Sequence, residues 1–388
     1  MPARLLVHNG VVYTPLEMIP DGAVLIENDR IRKVGRRREI SDQYLETVDA
    51  GGKIICPGFI DLQVNGGGGA LLTEDANYES VCRMAEAHSS FGTTSFLPTV
   101  MTAHERQICS ALRAASEAVR KGTGTATVLG SHLEGPFINR KKKGIHDERY
   151  MLSPSIETFS SFYEASEGTL RLLTLAPELP ASLPLVEHAV MKGVTVSIGH
   201  TTASFLEVQQ AVNAGASVAT HIFNAMEGLS SREPGTVGAI LSIEKVRAGL
   251  VADGIHVHPK SMKVCIQAKG IENVFLVTDA MSPVGTSMTS FRLGDKEINV
   301  RDGGLYASDG TIAGSMLTMN TAVRIINELA DLPLQQAIAM ATINPATAIC
   351  IDQQKGSLEA GKDADLVVCD EKLNVRKVLV KGGLVHEA

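Results

Sequence analysis

The stretch Gly58–Gly67, GFIDLQVNGG, begins as an apolar strand and ends in two amide side chains followed by glycines. Since side chains alternate between the two faces of a strand, Gln63 and Asn65 share one face at the end of the strand. An apolar strand that finishes in polar groups is typical of a parallel sheet covered by helices. The stretch therefore predicts the first strand of an α/β core.

Seven further apolar segments follow Phe59–Asn65, and helical patterns separate them. They are Thr93–Pro98, Thr125–Leu133, Leu170–Ala176, Val194–Gly199, Ser217–His221, Val246–Ala252 and Asn273–Thr278. With 44% hydrophobic but only 4% aromatic residues, the core must be mainly aliphatic, as in parallel sheets. Eight β/α units in sequence predict a closed (β/α)8 TIM-like barrel of the α/β class.

Both ends of the chain show a different pattern, in which short β-type runs alternate with turns. This pattern predicts a small β-sandwich domain formed by the two termini, residues 1–56 and 354–388, around a barrel of residues 57–353. The segment Phe291–Gly310 is expected to be a hairpin-bearing insertion after the eighth strand. Helices are expected at Tyr78–Phe91, Ala103–Lys121, Ser204–Asn213 and Pro259–Lys269.

Composition argues against several classes of protein. The net charge is −7, and the basic run Arg140–Lys143 is too short for a nucleic-acid site, so we expect no nucleic-acid partner. The six cysteines include no C-x-x-C pair, which favours reduced thiols over a disulfide framework. The amino terminus lacks the apolar core of a signal peptide and no long apolar span follows. We therefore expect a cytoplasmic protein without a membrane partner.

Ligand-type side chains follow the ends of the third, fifth and sixth strands, namely Glu134, His200 and His221. In a parallel barrel those ends lie on one face, where active sites are built. Two imidazoles, one carboxylate and a position left for water form the ligand set of a catalytic zinc site. Taken singly, each histidine could be structural and Glu134 could cap a helix. Their joint placement favours a metal site.

Asp279 ends the apolar run of the eighth strand, where an aspartate without a function would lose hydration. It could cap a helix. Alternatively, beside a metal-activated water it would serve as general base and then, once protonated, as acid towards a leaving amine. That chemistry hydrolyses amides. His132 lies two positions before Glu134 on the same strand face, so we expect it to orient Glu134 rather than bind metal.

Several motifs, spread over nearly the whole chain, resemble those of N-acetylglucosamine-6-phosphate deacetylases of the amidohydrolase superfamily. They are HLEGPF (132–137), IGHT (198–201), THIFNAM (220–226), ADGIH (252–256), VTDA (277–280), IAGS (312–315) and GSLEAGKDADLVV (356–368). The resemblance implies that Glu134, His200 and His221 hold one divalent metal per subunit, with Asp279 as acid and base. Zn²⁺ is the expected ion, and Fe²⁺, Co²⁺ or Mn²⁺ would also suit this set.

Many amidohydrolases carry His-x-His at the end of the first strand, where it holds a second metal. Here the pair is Gln63 and Asn65, and amides bind zinc poorly compared with imidazole. A single-metal site is therefore expected, with the two amides orienting water or Glu134. Whether a second metal ever binds near them is left open. The segment APE (176–178) offers no lysine after the fourth strand, which excludes the carbamylated-lysine arrangement.

The resemblance also implies substrate-binding residues. His146, in GIHD, matches a histidine that contacts the substrate near its scissile amide, and we expect it to play a supporting electrophilic role. Asn224, Ala225, Arg232 and His256 match groups that bind the sugar phosphate. A homodimer is implied, in which Arg232 and His256 reach the neighbouring subunit's site.

The expected activity is metal-dependent hydrolysis of the acetamide of N-acetylglucosamine 6-phosphate, a step of amino sugar catabolism. The galactosamine epimer is the nearest alternative, because one inverted hydroxyl is discriminated by loop contacts that a sequence does not reveal. An N-acyl amino acid deacylase would share the barrel and the metal chemistry. A non-catalytic barrel stands further away, since it would have no need of Asp279 beside the three metal-ligand residues.

Overall fold

A computed structural model describes residues 4–41 and 46–388. Residues 1–3 and 42–45 of the expected first domain segment lie outside the described residues. The strands are β1 (Arg4–Tyr13), β2 (Met18–Glu27), β3 (Arg30–Arg36), β4 (Glu46–Pro57), β5 (Phe59–Val64), β6 (Gly66–Gly67), β7 (Ala70–Leu71), β8 (Thr93–Val100), β9 (Thr127–Val128), β10 (Ser131–Glu134), β11 (Leu170–Leu175), β12 (Thr195–Ile198), β13 (Val218–Ala219), β14 (Arg247–Val251), β15 (Val274–Val277), β16 (Ser290–Leu293), β17 (Lys296–Arg301), β18 (Gly304–Ala307), β19 (Leu366–Cys369), β20 (Val375–Val380) and β21 (Gly383–Glu387).

Helices lie between the barrel strands, and three further helices follow β18. They are α1 (Leu72–Asp75), α2 (Tyr78–Ser89), α3 (Glu105–Lys121), α4 (Ile156–Ala165), α5 (Ser182–Met191), α6 (Phe205–Asn213), α7 (Gly235–Ser242), α8 (Pro259–Lys269), α9 (Met319–Leu329), α10 (Leu334–Ala341) and α11 (Ile343–Ala348). Local caps fix several starts: Ser204 accepts the Glu207 N–H and Glu207 accepts the Ser204 N–H, a capping box that opens α6. In residues 4–41 and 46–388, no helix has both the length and the apolar character needed to cross a membrane.

The barrel wall is a run of parallel strands in the order β5, β8, β10, β11, β12, β13, β14, β15. Residues just past β15 close it onto β5. The Asp279 N–H donates to the Gln63 carbonyl and the Asn65 N–H donates to the Ala280 carbonyl, each at 2.9 Å. Closure therefore falls at the carboxyl ends of the strands, where the candidate site residues stand. The expected (β/α)8 barrel is confirmed.

The two ends of the chain form one mixed sheet in the order β21, β20, β19, β4, β1, β2, β3. The sheet curls back on itself, because the Ile31 N–H at the β3 edge donates to the Lys362 carbonyl at 2.9 Å. The curled sheet encloses its own apolar cluster. Buried Lys355 lies beside the Asp363 and Asp365 carboxylates at 2.8 and 2.6 Å. The small β domain built from both termini is confirmed, and its exact bounds stay a prediction.

The eight expected barrel strands are present, with one internal difference. The third expected segment, Thr125–Leu133, is two strands, because the chain turns at Gly130 with a φ of +140°. A Cβ at Gly130 would lie 2.3 Å from the Thr169 carbonyl oxygen, so only glycine fits there. The insertion expected at Phe291–Gly310 forms the antiparallel sheet β16, β17, β18.

Candidate active site

Three ligand-type side chains meet at the mouth of the barrel. Glu134 is the last residue of β10, whereas His200 and His221 each stand two residues past β12 and β13. The Glu134 Oε1 lies 3.0 Å from His221 Nε2 and 3.4 Å from His200 Nε2. The two Nε2 atoms are 3.1 Å apart. All three residues are buried, and the two histidines follow adjacent parallel strands, as the spacing of 21 residues indicated.

The protonation of this group fits a bound cation. The His200 Nδ1 lies 2.8 Å from the Lys142 carbonyl oxygen, which only accepts, so Nδ1 carries the proton and Nε2 presents its lone pair. Burial raises the pKa of Glu134, but His200 and His221 lower it further, to well below its usual range. The Glu134 carboxylate is therefore ionised and lies beside two imidazoles. One carboxylate and two imidazoles, each offering one ligand atom, form a set that suits a divalent cation.

The turns that aim these side chains are strained. His200, His221 and Asp279 have φ values of +50°, +29° and +54°, a left-handed region that side chains other than glycine rarely adopt. The backbone turns at each of these three residues, two positions after the end of β12, β13 or β15. The turn directs the side chain towards the mouth of the barrel. Such conformations are concentrated at functional sites, where the surrounding fold holds them in place.

The two amides of the first strand hold carboxylates. Gln63 Nε2 donates to Glu134 Oε1 at 2.8 Å and to Asp279 Oδ1 at 3.1 Å. Asn65 Nδ2 donates to the same Asp279 oxygen at 2.7 Å. Gln63 thus contacts Glu134, whereas Asn65 contacts Asp279, a partner that the sequence did not indicate. Because Gln63 donates to both carboxylates, it connects Glu134 of the metal-ligand group to Asp279, the candidate acid and base.

Asp279 lies in an environment suited to proton transfer. Burial, and then the nearby Glu134 charge, raise its pKa to about 6. Its carboxyl group is therefore mainly ionised at neutral pH, yet it can hold a proton without a large free-energy penalty. Because both amides donate to Oδ1, Oδ2 is the oxygen available for that proton.

His146 is prepared as a neutral donor. The Thr102 N–H donates to His146 Nδ1 at 3.3 Å, so the ring proton lies on Nε2. This Nε2 is 4.0 Å from Glu134 Oε2 and faces the metal-ligand group. Burial lowers the pKa of His146 to about 3, with a further contribution from His200. The imidazole can therefore donate from Nε2 without becoming an imidazolium at neutral pH.

A cavity of about 360 Å³ connects these groups with the expected substrate-binding residues. Asn224, Ala225 and His256 line it together with Asp279 and His146. The His256 Nδ1 is held by the Asp253 carboxylate at 2.6 Å. His256 thus lines the cavity of its own chain.

Two other expected residues lie elsewhere. Arg232 is exposed and is not part of the cavity lining within the described residues. His132 lies one layer below Glu134, with its Nε2 2.8 Å from the Thr174 hydroxyl. Burial lowers the pKa of His132 to about 4, so it is a neutral side chain within the barrel. It packs beneath Glu134, with no direct hydrogen bond to that carboxylate among the described residues.

Sequence reasoning missed Glu178, the last residue of the APE segment. Its carboxylate accepts hydrogen bonds from the Thr202 N–H at 2.6 Å, from the Asn139 amide at 2.8 Å, and from the Thr201 hydroxyl. The Asn139 N–H in turn donates to the His200 carbonyl at 2.9 Å. Glu178 therefore holds the two segments on either side of His200. The sequence held one sign of this role, because Glu178 lies two residues after the end of the predicted fourth strand, Leu170–Ala176.

Replacing Glu178 with Gln should weaken metal binding by about 10- to 100-fold, the usual cost of losing a group that orients a ligand. The amide would present N–H groups to donors, which disturbs the turn at His200. Metal titration of the purified variant measures the loss. Glu207→Gln, which alters only the cap of α6, is the control and should keep the original metal affinity. Equal affinities in the two variants would contradict the positioning role of Glu178.

The sequence and the fold are similar to those of known proteins. The model of the amidohydrolase family matches residues 54–385. The N-acetylglucosamine-6-phosphate deacetylase of Bacillus subtilis (strain 168) is 33% identical over 99% of this chain and 98% of its own length. The N-acetylgalactosamine-6-phosphate deacetylase of Shewanella sp. (strain ANA-3) is 39% identical over 85% of this chain and 83% of its own.

A solved structure gives the same result. The crystal structure of N-acetylglucosamine-6-phosphate deacetylase from Pasteurella multocida superposes with a TM-score of 0.94 at 33% identity, covering 99% of this chain and 100% of that one. The family match spans most of the chain, and its relatives are enzymes that align over nearly their whole length. The chain is therefore an enzyme that belongs to the amidohydrolase family.

Proposed function

We propose that the protein hydrolyses N-acetylglucosamine 6-phosphate to glucosamine 6-phosphate and acetate. The observation that carries the proposal is the placement of Asp279, with its raised pKa, in one cavity with Glu134, His200 and His221. Relatives with that activity in their names align over nearly the whole chain. The reaction would serve amino sugar catabolism in the cytoplasm.

Glu134, His200 and His221 would hold one divalent metal, which we propose to be Zn²⁺. Fe²⁺, Co²⁺ and Mn²⁺ also accept this ligand set, and their availability would decide among them. When bound, the metal supplies a Lewis acid and lowers the pKa of a coordinated water. Gln63 and Asn65 already donate to carboxylates, which supports a single metal rather than two.

The protein groups divide the remaining chemistry among themselves. His146 Nε2–H is placed to hold the amide carbonyl oxygen as negative charge develops on it. Asp279 Oδ2 takes a proton from the attacking water and gives it to the amide nitrogen as the C–N bond breaks. A C–O bond forms between the water oxygen and the acyl carbon, which gives acetate, and the C–N bond breaks, which gives the sugar with a free amine. Gln63 and Asn65 keep Asp279 Oδ1 fixed during this exchange.

We assign the sugar phosphate to Asn224, Ala225 and His256, which line the same cavity as the catalytic groups. The Asn224 side-chain nitrogen donates to the His221 and Ile222 carbonyls, each at 3.3 Å, and the Asp253 carboxylate orients His256. We also propose a homodimer in which Arg232, which is exposed on its own chain, reaches the neighbouring subunit's site. Arginine suits phosphate because its planar group forms paired charge-assisted hydrogen bonds. Sedimentation velocity tests the dimer, and a monomer at micromolar concentration would contradict it.

The galactosamine epimer is the second candidate substrate. The Shewanella relative, named for that substrate, is 39% identical, whereas the Bacillus subtilis glucosamine relative is 33% identical. The two sugars differ at one hydroxyl, and the catalytic groups described above act on the acetamide that both share. The first assay should therefore compare acetate release from the two phosphorylated sugars.

The deciding experiment measures acetate release by the metal-loaded protein. N-acetylglucosamine 6-phosphate, its galacto epimer and unphosphorylated N-acetylglucosamine are compared at equal concentration. We expect rapid release from the gluco phosphate and little from the unphosphorylated sugar. Faster release from the galacto epimer would shift the assignment to that substrate. Absence of release from all three would refute the proposal.

A further inference from the structure

A second cavity lies directly behind the candidate active site. Its volume is about 520 Å³, and it is lined mainly by residues 101–104, 143, 145–150 and 293–296, with Thr73, Glu74 and Gln107. Among the described residues, the two cavities share Met101, Ile145 and His146. These three side chains are therefore the partition between the reaction site and the space beyond it.

Two of the three partition residues form an apolar wall. Met101 and Ile145 are 4% and 7% exposed and belong to one apolar cluster with Met281, which also lines the active-site cavity. Backbone contacts hold the wall in place: the Met101 N–H donates to the Thr73 hydroxyl at 2.8 Å, and Lys296 donates to the Ile145 carbonyl at 3.0 Å.

The charged rim of the second cavity is internally paired. Arg149 lies 2.5 Å from Asp147 and 2.7 Å from Asp295, and Lys143 lies 3.0 Å from Glu148. Arg149 and Lys143 thus have carboxylate partners, and Lys296 donates to the Ile145 carbonyl, so each of these three cations has a partner within the chain. The second cavity provides space next to the apolar wall formed by Met101 and Ile145.

The chemistry of the proposed reaction assigns a direction to the acyl chain. The carbonyl oxygen is directed to His146 and the amide nitrogen to Asp279, so both polar substituents of the acyl carbon have partners. The remaining substituent is the methyl group, which gains free energy only from an apolar surface. Met101 and Ile145 line the active-site cavity together with His146, so both wall residues share this space with the group that holds the carbonyl oxygen.

We propose that Met101 and Ile145 close the acyl pocket and restrict the enzyme to short N-acyl groups. The inference rests on the proposed deacetylase function. The cavity behind the wall would accommodate the additional methylene groups of N-propionyl or N-butyryl substrates once the wall is shortened. The two side chains are thus specificity-determining residues for acyl length.

The test compares kcat/KM for the N-acetyl, N-propionyl and N-butyryl forms of glucosamine 6-phosphate. In Ile145→Ala and Met101→Ala, the butyryl-to-acetyl ratio should rise by about tenfold or more over the wild type, the scale set by one or two methylene groups in a pocket. A general disturbance of His146 would lower all three values together and leave the ratio unchanged. Ile145→Val, a smaller change, should raise the propionyl-to-acetyl ratio and preserve the fold.

Ile312→Ala is the matched control, because Ile312 lines the active-site cavity but not the cavity behind the wall. Its acyl ratios should stay within about threefold of the wild type, a difference smaller than the loss of a single methylene contact. Unchanged ratios in Ile145→Val and the two alanine variants would overturn the inference while the wild type still releases acetate. Failure of the wild type to release any acyl group would overturn both proposals.

Discussion

The Asp279→Asn variant is expected to lose about 10³-fold or more in kcat while keeping its metal. General acid and base catalysis by a positioned side chain contributes about 10² to 10⁴ in rate, and here one carboxyl group would serve both steps. The substitution is structurally mild, because an asparagine oxygen can still accept from Gln63 and Asn65 at the Oδ1 position. Steady-state kinetics with metal analysis of the same sample measures the effect.

Asp253→Asn is the matched control for Asp279→Asn. Asp253 holds His256 on the proposed phosphate side and touches none of the reacting groups. Its loss should therefore raise KM, by about tenfold for one charged hydrogen bond, and leave most of kcat. If Asp279→Asn retained more than a tenth of the wild-type kcat with full metal content, another group would have to carry the proton.

The fold was predictable because its strands are apolar, regularly spaced and separated by helical patterns. Strand ends were less predictable. Ser217–His221 was expected as a strand, but β13 is only Val218–Ala219, because His221 turns away with a positive φ. The residue that leaves the strand is the one that does the chemistry. Local hydrophobic periodicity carries no information on that turn.

The main site residues were predictable because the carboxyl ends of parallel strands lie on one face of a barrel. Their supporting partners were not. Thr102 fixes the tautomer of His146 across 44 positions of sequence, and Glu178 acts on the segment around His200 through hydroxyl and amide groups. Such contacts depend on tertiary packing and follow no fixed spacing. Asn65 is another example: its residue type suggested an orienting role, but the sequence did not indicate that its partner is Asp279.

The second large effect is expected on removal of the metal. Chelation should abolish acetate release and also lower the free energy of unfolding, because a metal held by Glu134, His200 and His221 stabilises the folded state that binds it. Metal at one hundred times its dissociation constant adds about 2.7 kcal/mol to the free energy of unfolding, if it binds only the folded protein. Urea unfolding with and without metal measures this difference, and metal analysis should give about one ion per chain, the number that the Glu134, His200 and His221 set can hold.

His221→Ala should remove this metal-dependent stabilisation, because the variant keeps only two of the three ligands. The affinity loss should exceed the ~100-fold typical of a disturbed outer partner, since a direct ligand is removed. His258→Ala is the control: His258 is exposed and caps α8 at Lys260, so its metal-dependent stabilisation should match that of the wild type. Two ions per chain in the wild type would contradict the single-metal site and would require Gln63 to release Glu134.

Unchanged metal content in His221→Ala would show that the metal binds elsewhere in the protein. The convergence of Glu134 and His200 would then need another explanation.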